Sequence, residues 1–196
     1  MKFLHVSEAE RRYVASLREA PAPVPRAGEV LIRVTASGVN RADLSQIAGR
    51  YPPPPGEPDI LGLEVSGVVE VSGQRVCALL AGGGHAECVA APEGQVFPVP
   101  AGLDPVAAAG IPEAFVTAFV NLVVEAGLEA GQTLLVHAGA SGVGLAAIQI
   151  GRHLGARVVA TTRILIHGFR HRSPRALEQV FPKPACYIPP YGPVRR

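Results

Sequence analysis

Cysteine is scarce in this chain. Cys77, Cys88 and Cys186 form no Cys-x-x-Cys pair and no other metal-ligand spacing, so no zinc site can be read from them. That usage suits a reducing compartment in which thiols serve as small buried hydrophobes. Tryptophan is absent and aromatics make up 5% of residues, which leaves no stacking platform for nucleic-acid bases. No run approaches the roughly 18 uninterrupted apolar residues that a membrane helix needs. The opening "MKFLHVSEAERRYV" has no sustained apolar core and carries acids early, unlike a secretory signal. A soluble cytoplasmic protein without membrane or nucleic-acid partners is expected.

What is present is a globular composition, 48% hydrophobic and 17% charged, with 22 Gly and 19 Pro that imply many turns. The net charge of +2 joins two unlike parts. Residues 1–163 carry 12 Lys+Arg against 15 Asp+Glu, whereas residues 164–196 carry 6 against 1. The basic balance belongs to the tail, where clustered cations are more often solvated than bound to phosphates.

Residues 1 to about 100 read as short strands between Gly and Pro turns, a barrel-like or sandwich-like β region. In "GEVLIRVTASG", Val30, Ile32 and Val34 alternate with Leu31, Arg33 and Thr35, the period of a half-buried strand. A short helix is predicted over Arg41–Ala48, and Pro52 to Pro55 then force an extended loop. In "VVEVSGQRVCAL", Ser72 and Gly73 are placed to turn a hairpin. After Asp104 the style becomes helical. Asp104 is an N-cap before Pro105, and Pro112 and Glu113 open a second helix with Phe115, Ala118, Phe119, Leu122 and Val123 on one face, ended by Gly127. "TLLVHAG", "SGVGLAAIQIGRHLG" and "ARVVATT" then read as strand, helix and strand, a βαβ unit with parallel strands.

Gly139, Gly142 and Gly144 lie between the first of these strands and the helix, where backbone N–H groups and the helix N-terminus can meet a pyrophosphate. Their spacing is G-x-x-G-x-G rather than G-x-G-x-x-G, so a glycine-rich turn without a ligand stays open at this point. No Asp or Glu follows the second strand before Glu178; Thr161, Thr162 and Arg163 stand there instead. Hydroxyl and basic groups at that place suit the 2′-phosphate of NADPH better than the bare ribose of NADH. Arg163 can equally be a solvated strand-end residue. His85 and His137 read as packing or backbone-bonding histidines, and Cys77 and Cys88 as core.

Five segments in order, "GVNRADLSQIAGRYPPPPG", "ILGLEVSGVV", "LLAGGGHAECV", "AAAGIPEAFVTAF" and "LLVHAGASGVGLAAIQIGRHLGARVVATTR", resemble the medium-chain dehydrogenase/reductase superfamily. The likeness is to its zinc-free quinone oxidoreductase branch, in the p53-inducible group, and it covers about residues 20–163. The resemblance implies a fold of class α/β plus β: a GroES-like β-barrel domain followed by a partial, doubly wound parallel Rossmann domain. It divides the chain into a GroES-like catalytic domain at 1–107, the N-terminal part of an NADPH-binding domain at 108–163, and an atypical basic, Pro-rich tail at 164–196. It further implies hydride transfer from NADPH to a quinone or enone, and homodimers among intact relatives. By the same resemblance Asn40 and Tyr51 lie beside nicotinamide and substrate, Tyr51 serving as donor to the quinone oxygen. The alternative for Tyr51 is an aromatic packed on the proline loop. Thr117, with Gly139, Ser141, Gly142, Val143, Gly144, Thr162 and Arg163, would hold the cofactor. No metal is implied, since Leu63 stands where zinc-dependent members have a ligating histidine. Glu64, beside it, is expected to be a partly buried acid bonded to backbone or to an arginine.

The likeness stops at Arg163. The remaining 33 residues, with 6 prolines, lack the expected continuation, and their abrupt change of composition suggests out-of-frame or otherwise aberrant sequence after a truncation. Strand one of the parallel sheet is accordingly expected to keep an open edge, and turnover by this chain alone to be weak or absent.

Overall fold

The computed structural model describes residues 1–9, 12–162 and 186–187. The chain divides into two compact units, Met1–Glu113 and Ala114–Arg196.

The first unit is built on a five-stranded antiparallel sheet of order β6-β3-β4-β5-β7. Its strands are β3 (Glu29–Ser37), β4 (Glu64–Val69), β5 (Arg75–Leu79), β6 (Cys88–Pro92) and β7 (Val96–Pro98). The alternation read from β3 holds: Ile32 is fully buried, Val30 and Val34 pack beside it, and Arg33 and Thr35 are exposed. A register shift between Val34 and Ala36 bends β3 against β4. The curl wraps a core of Ile32, Val65, Val69, Val76, Ala78, Leu80, Val89 and Ala91, and full burial of a branched side chain of this size stabilises by about 1.5–3 kcal/mol. The β4–β5 hairpin closes through the Val69 N–H donating to the Gln74 carbonyl at 3.0 Å. Its loop therefore takes in Glu70 and Val71 as well as the predicted Ser72 and Gly73.

A separate hairpin, β1 (Lys2–Ala9) with β2 (Arg12–Glu19), is pinned to the segment before β6. The Leu4 N–H donates to the His85 carbonyl at 2.8 Å, and the Glu87 N–H to the Lys2 carbonyl at 3.0 Å. Helix α1 (Arg41–Ile47) follows β3 as expected. Helix α2 (Pro105–Ala108) starts at Asp104, whose carboxylate accepts from the Ala107 N–H at 3.2 Å, the predicted cap.

Helix α3 (Pro112–Phe119) passes into π-helical turns over Val120–Glu125, where the Ala126 N–H reaches back five residues to the Asn121 carbonyl. In the second unit Ala114, Ala118 and Leu122 form the buried stripe, with Phe115 and Val123 packed at its margins. Phe119, expected on this face, is 49% exposed. A stripe centred on residues four apart, with small alanines against the sheet, leaves the larger ring at the edge. Strand β8 (Thr133–Val136), helix α4 (Gly142–His153) and strand β9 (Arg157–Ala160) make the βαβ unit. β8 and β9 pair in parallel from Thr133↔Arg157 to Val136↔Ala160. The open edge expected on β8 is taken by a two-residue strand, β10 (Cys186–Tyr187), parallel to Leu134 and Leu135.

Among the described residues no helix is long and apolar enough to cross a membrane.

Candidate active site

In the first unit Asn40 stands at the N-cap of α1. Asp43, three residues on, completes a capping box, its Oδ2 accepting from the Asn40 backbone N–H at 2.6 Å. The Asn40 side chain extends the arrangement, Nδ2 donating to Glu64 Oε1 at 2.8 Å. Glu64 Oε2 accepts from the backbone N–H of Glu113 at 2.9 Å. Glu64 is thus a buried acid bonded to backbone, as expected, with an asparagine amide rather than an arginine as its second partner. Gly38 makes the placement possible, because a Cβ there would occupy the space of the Glu64 carboxyl.

Asp43 is also buried, and its Oδ1 accepts from the Gly62 N–H at 3.2 Å. His85 Nε2 lies 3.8 Å from Asp43 Oδ2, and His85 Nδ1 lies 2.8 Å from Ser37 Oγ. The His85 side chain is packed, 7% exposed, as expected, and it adds contacts to two side chains. One cluster joins β3, α1, β4, the loop before β6 and the first residues of α3.

Burial pushes the Glu64 carboxyl above its ordinary value, opposed by the bonds from Asn40 and Glu113, with repulsion from Asp43 adding to the rise. The Glu113 carboxyl is pushed up by burial, then by Glu64 and Asp43. Burial also works against ionised Asp43, but the nearby His85 ring and the hydrogen bonds from Asn40 and Gly62 outweigh it and hold that carboxyl below its ordinary value. Among the described residues no group of three or more His, Cys, Asp or Glu side chains is arranged to hold a metal ion. Cys77 is buried and Cys88 half-buried, and burial raises the Cys77 thiol, the setting of a packing residue rather than a nucleophile. Tyr51, the predicted donor, opens the proline loop and is 52% exposed.

The second unit gathers the glycine-turn residues. The Gly139 N–H donates to the Thr161 carbonyl at 2.8 Å. Ser141 caps α4, its Oγ accepting from the Gly144 N–H at 3.0 Å. A Cβ on Gly144 would stand 2.5 Å from the Ala138 carbonyl oxygen, and one on Gly139 2.8 Å from the Ala160 methyl. These two glycines let the turn close on itself and on β9. Gly142, exposed at the first helical position, would place a Cβ in ordinary van der Waals contact with Ala114 Cβ at 3.9 Å and meet nothing closer. The first-turn N–H groups of Gly142 and Val143 have no acceptor within the helix. His137 Nδ1 lies 2.9 Å from Thr161 Oγ1 and ties the ends of β8 and β9 together. Thr162 follows, half-buried, and Arg163 lies outside the described residues. Thr117 is half-buried on α3, its carbonyl accepting from Asn121 Nδ2 at 2.8 Å. Asn40 and Tyr51 thus belong to one unit, and Thr117 and the glycine turn to the other.

Sequence reading missed Gly38, Asp43, Ser37 and His85 as parts of one cluster. Only the Asn-x-x-Asp spacing of "NRAD" announced any of it, through its capping-box form.

The chain thus carries a curled antiparallel sheet in its first unit and a βαβ unit with a glycine turn in its second. Residues 26–101 match the alcohol dehydrogenase GroES-like domain. A quinone oxidoreductase of Lama guanicoe is 36% identical over 172 residues, 82% of this chain and 52% of that protein. Polyketide synthase GfsB of Streptomyces halstedii is 45% identical over 152 residues, 72% of this chain and 3% of that protein. The quinone oxidoreductase of Thermus thermophilus, solved also in complex with NADPH, superposes with a TM-score of 0.68 at 40% identity, over 82% of this chain and 52% of its own. JamJ enoyl reductase gives 0.69 at 25% identity, over 90% of this chain and 57% of its own. The chain belongs to the medium-chain dehydrogenase/reductase superfamily, in its quinone oxidoreductase-like branch. It spans about half the length of the quinone oxidoreductases it matches.

Proposed function

We propose that this chain binds NADPH and belongs to a zinc-independent reductase that delivers hydride to a conjugated carbonyl acceptor, a quinone in the first instance. The observation that carries the reading is the turn from β8 into α4. Its backbone is open at Gly142, closed tightly at Gly139 and Gly144, and capped at Ser141. A turn of this form fits a pyrophosphate, because first-turn N–H groups and the positive end of a 12-residue helix face the same anion. Thr162 and Arg163, with no carboxylate beside them in sequence, would take the 2′-phosphate. Thr117 and Asn40 would border the rest of the cofactor, and residues 1–107 and 108–163 would be the substrate-side and nucleotide-side domains. The bound cofactor supplies the hydride. Tyr51 would donate to the oxygen on which charge develops, and water would complete its protonation.

An enone acceptor is the second reading, favoured by the likeness to an enoyl reductase. Quinone and enone share the conjugated carbonyl, so both ask for the same donor. Since a full nucleotide fold places the dinucleotide across more strands than the βαβ unit offers, binding with weak turnover is expected of this chain alone. A titration of NADPH followed by its own fluorescence, then consumption assays with a quinone and with an enone, tests this. Saturable binding supports the reading, the preferred acceptor decides between substrates, and no NADPH binding overturns it. Binding without turnover, with co-elution alongside an intact relative, would favour a non-catalytic partner-binding role.

A further inference from the structure

The side chain of Asn40 is held at its amide nitrogen by a group that only accepts and faces, at its oxygen, a group that only donates. Glu64 offers two carboxylate oxygens, one already engaged by the Glu113 N–H, and a carboxylate only accepts. The end of Asn40 that meets Glu64 Oε1 at 2.8 Å must therefore be the NH2 group. The capping box turns the Asn40 side-chain oxygen toward the backbone N–H of Asp43, a group that only donates, although that N–H makes its hydrogen bond to the Asn40 backbone carbonyl at 3.1 Å and none to the side chain. A flipped amide would set oxygen against oxygen at one end and N–H against N–H at the other. Glu64 is itself fixed, because it is buried and seated on the bare backbone of Gly38. The donor left over on Asn40 is the second hydrogen of Nδ2, on a residue that is half-buried rather than sealed.

We propose that Glu64 is a positioning residue that locks the Asn40 amide so that its second Nδ2–H is presented as a fixed donor. The ligand group read at this position is then a hydrogen-bond acceptor, such as a carbonyl oxygen. The proposal rests on the reading that Asn40 borders the bound cofactor. It adds the polarity of the contact and the residue that sets it.

The exchange Asn40→Asp with Glu64→Gln separates the lock from the donor. The new amide at position 64 can give its oxygen to the Glu113 N–H and its NH2 to the new carboxylate at position 40. The other oxygen of that carboxylate still caps α1, and the net charge is unchanged. Glu64→Gln alone sets NH2 against NH2 or forces the flip. The expected pattern is lower stability and about tenfold or more weaker NADPH binding for the single variant. The exchange should recover the urea midpoint while binding stays weak, because a carboxylate at position 40 has no hydrogen to donate. Recovery of both stability and binding would overturn the proposal, as would a single variant that loses neither.

The nitrogen-detected side-chain amide signals of Asn40 in the intact 196-residue chain provide a readout that needs no variant. One Nδ2 proton should exchange slowly because of Glu64, and the other should move when NADPH is added. Two rapidly exchanging protons, or bound NADPH that moves neither, would count against the lock. If NADPH does not bind at all, the failure belongs to the proposed function, and the ligand-free spectrum still tests the bond to Glu64.

Discussion

Replacing Gly38 with alanine should unseat Glu64. The three heavy atoms nearest to a Cβ at position 38 all belong to the Glu64 side chain, Oε1, Cδ and Cγ, and the last two would lie 2.5 and 2.6 Å away. The carboxyl would have to leave its place, and with it the bonds from Asn40 and Glu113. Hydrogen bonds to a charged group contribute about 1.5–3 kcal/mol each, so losing both costs about 3–6 kcal/mol. The alanine regains about 0.4–1 kcal/mol by restricting the unfolded chain, since position 38 is not in the left-handed region. A net loss of about 2–5 kcal/mol is expected, a large part of the roughly 5–15 kcal/mol that stabilises a domain. Urea unfolding followed by circular dichroism measures it through the midpoint at unchanged slope. With Glu64→Ala as background, the methyl at 38 meets no carboxyl, and the same Gly38→Ala change should cost close to nothing. A double-mutant cycle should therefore give a coupling of about 2–5 kcal/mol. Equal losses in the two backgrounds would refute the seat that Gly38 provides.

Four other substitutions have expected outcomes. Gly144→Ala drives a methyl into the Ala138 carbonyl and should lower both stability and NADPH binding. Gly142→Ala meets only an ordinary contact with Ala114 Cβ at 3.9 Å and should leave the urea midpoint unchanged or slightly raised while weakening NADPH binding; a fall in stability would contradict the room at this turn. Ile32→Ala empties the centre of the first core and should cost about 2–5 kcal/mol by the same unfolding assay, and a cost below about 1 kcal/mol would argue against its complete burial. Glu113 has a folded value raised above the ordinary 4.5, by burial first and then by Glu64 and Asp43. The folded state then binds more protons than the unfolded one, so stability falls as pH rises from 4.5 through the raised value. Glu113→Gln removes that contribution and should flatten the decline in urea midpoint from mild acid toward neutrality; an unchanged slope would refute it. Asp43 acts with the opposite sign, and its contribution is lost as pH falls below 3.8 toward its lowered value.

Elements that depend on near neighbours in the chain were legible in the residue pattern itself. Alternation placed β3 with Ile32 inward, Asp104 and Pro105 announced α2, and an apolar strand, a glycine turn and a helix announced the βαβ unit. In each case a few residues decide the outcome, through side-chain period, a cap or a permitted backbone angle. Errors arose where packing from elsewhere chose among local options. Phe119 satisfies a helical period but lies at the margin of a stripe centred on Ala114, Ala118 and Leu122. The short strand Cys186–Tyr187 pairs with β8, a partner about 50 residues earlier that no local pattern in the tail could indicate.

The sequence alone determined the order of strands and helices, the glycine turn and the family resemblance, because backbone preferences and caps act over a few residues and five motifs stand in a fixed order. Only the tertiary structure decided what Glu64 does. A carboxyl can be buried only where donors from other segments reach both of its oxygens, and here one comes from Asn40, 24 residues earlier, and the other from Glu113, 49 residues later. Gly38 supplies the space by having no side chain at all. The partners of the Glu64 carboxyl are thus set by where the fold brings these three segments together, which no local spacing specifies.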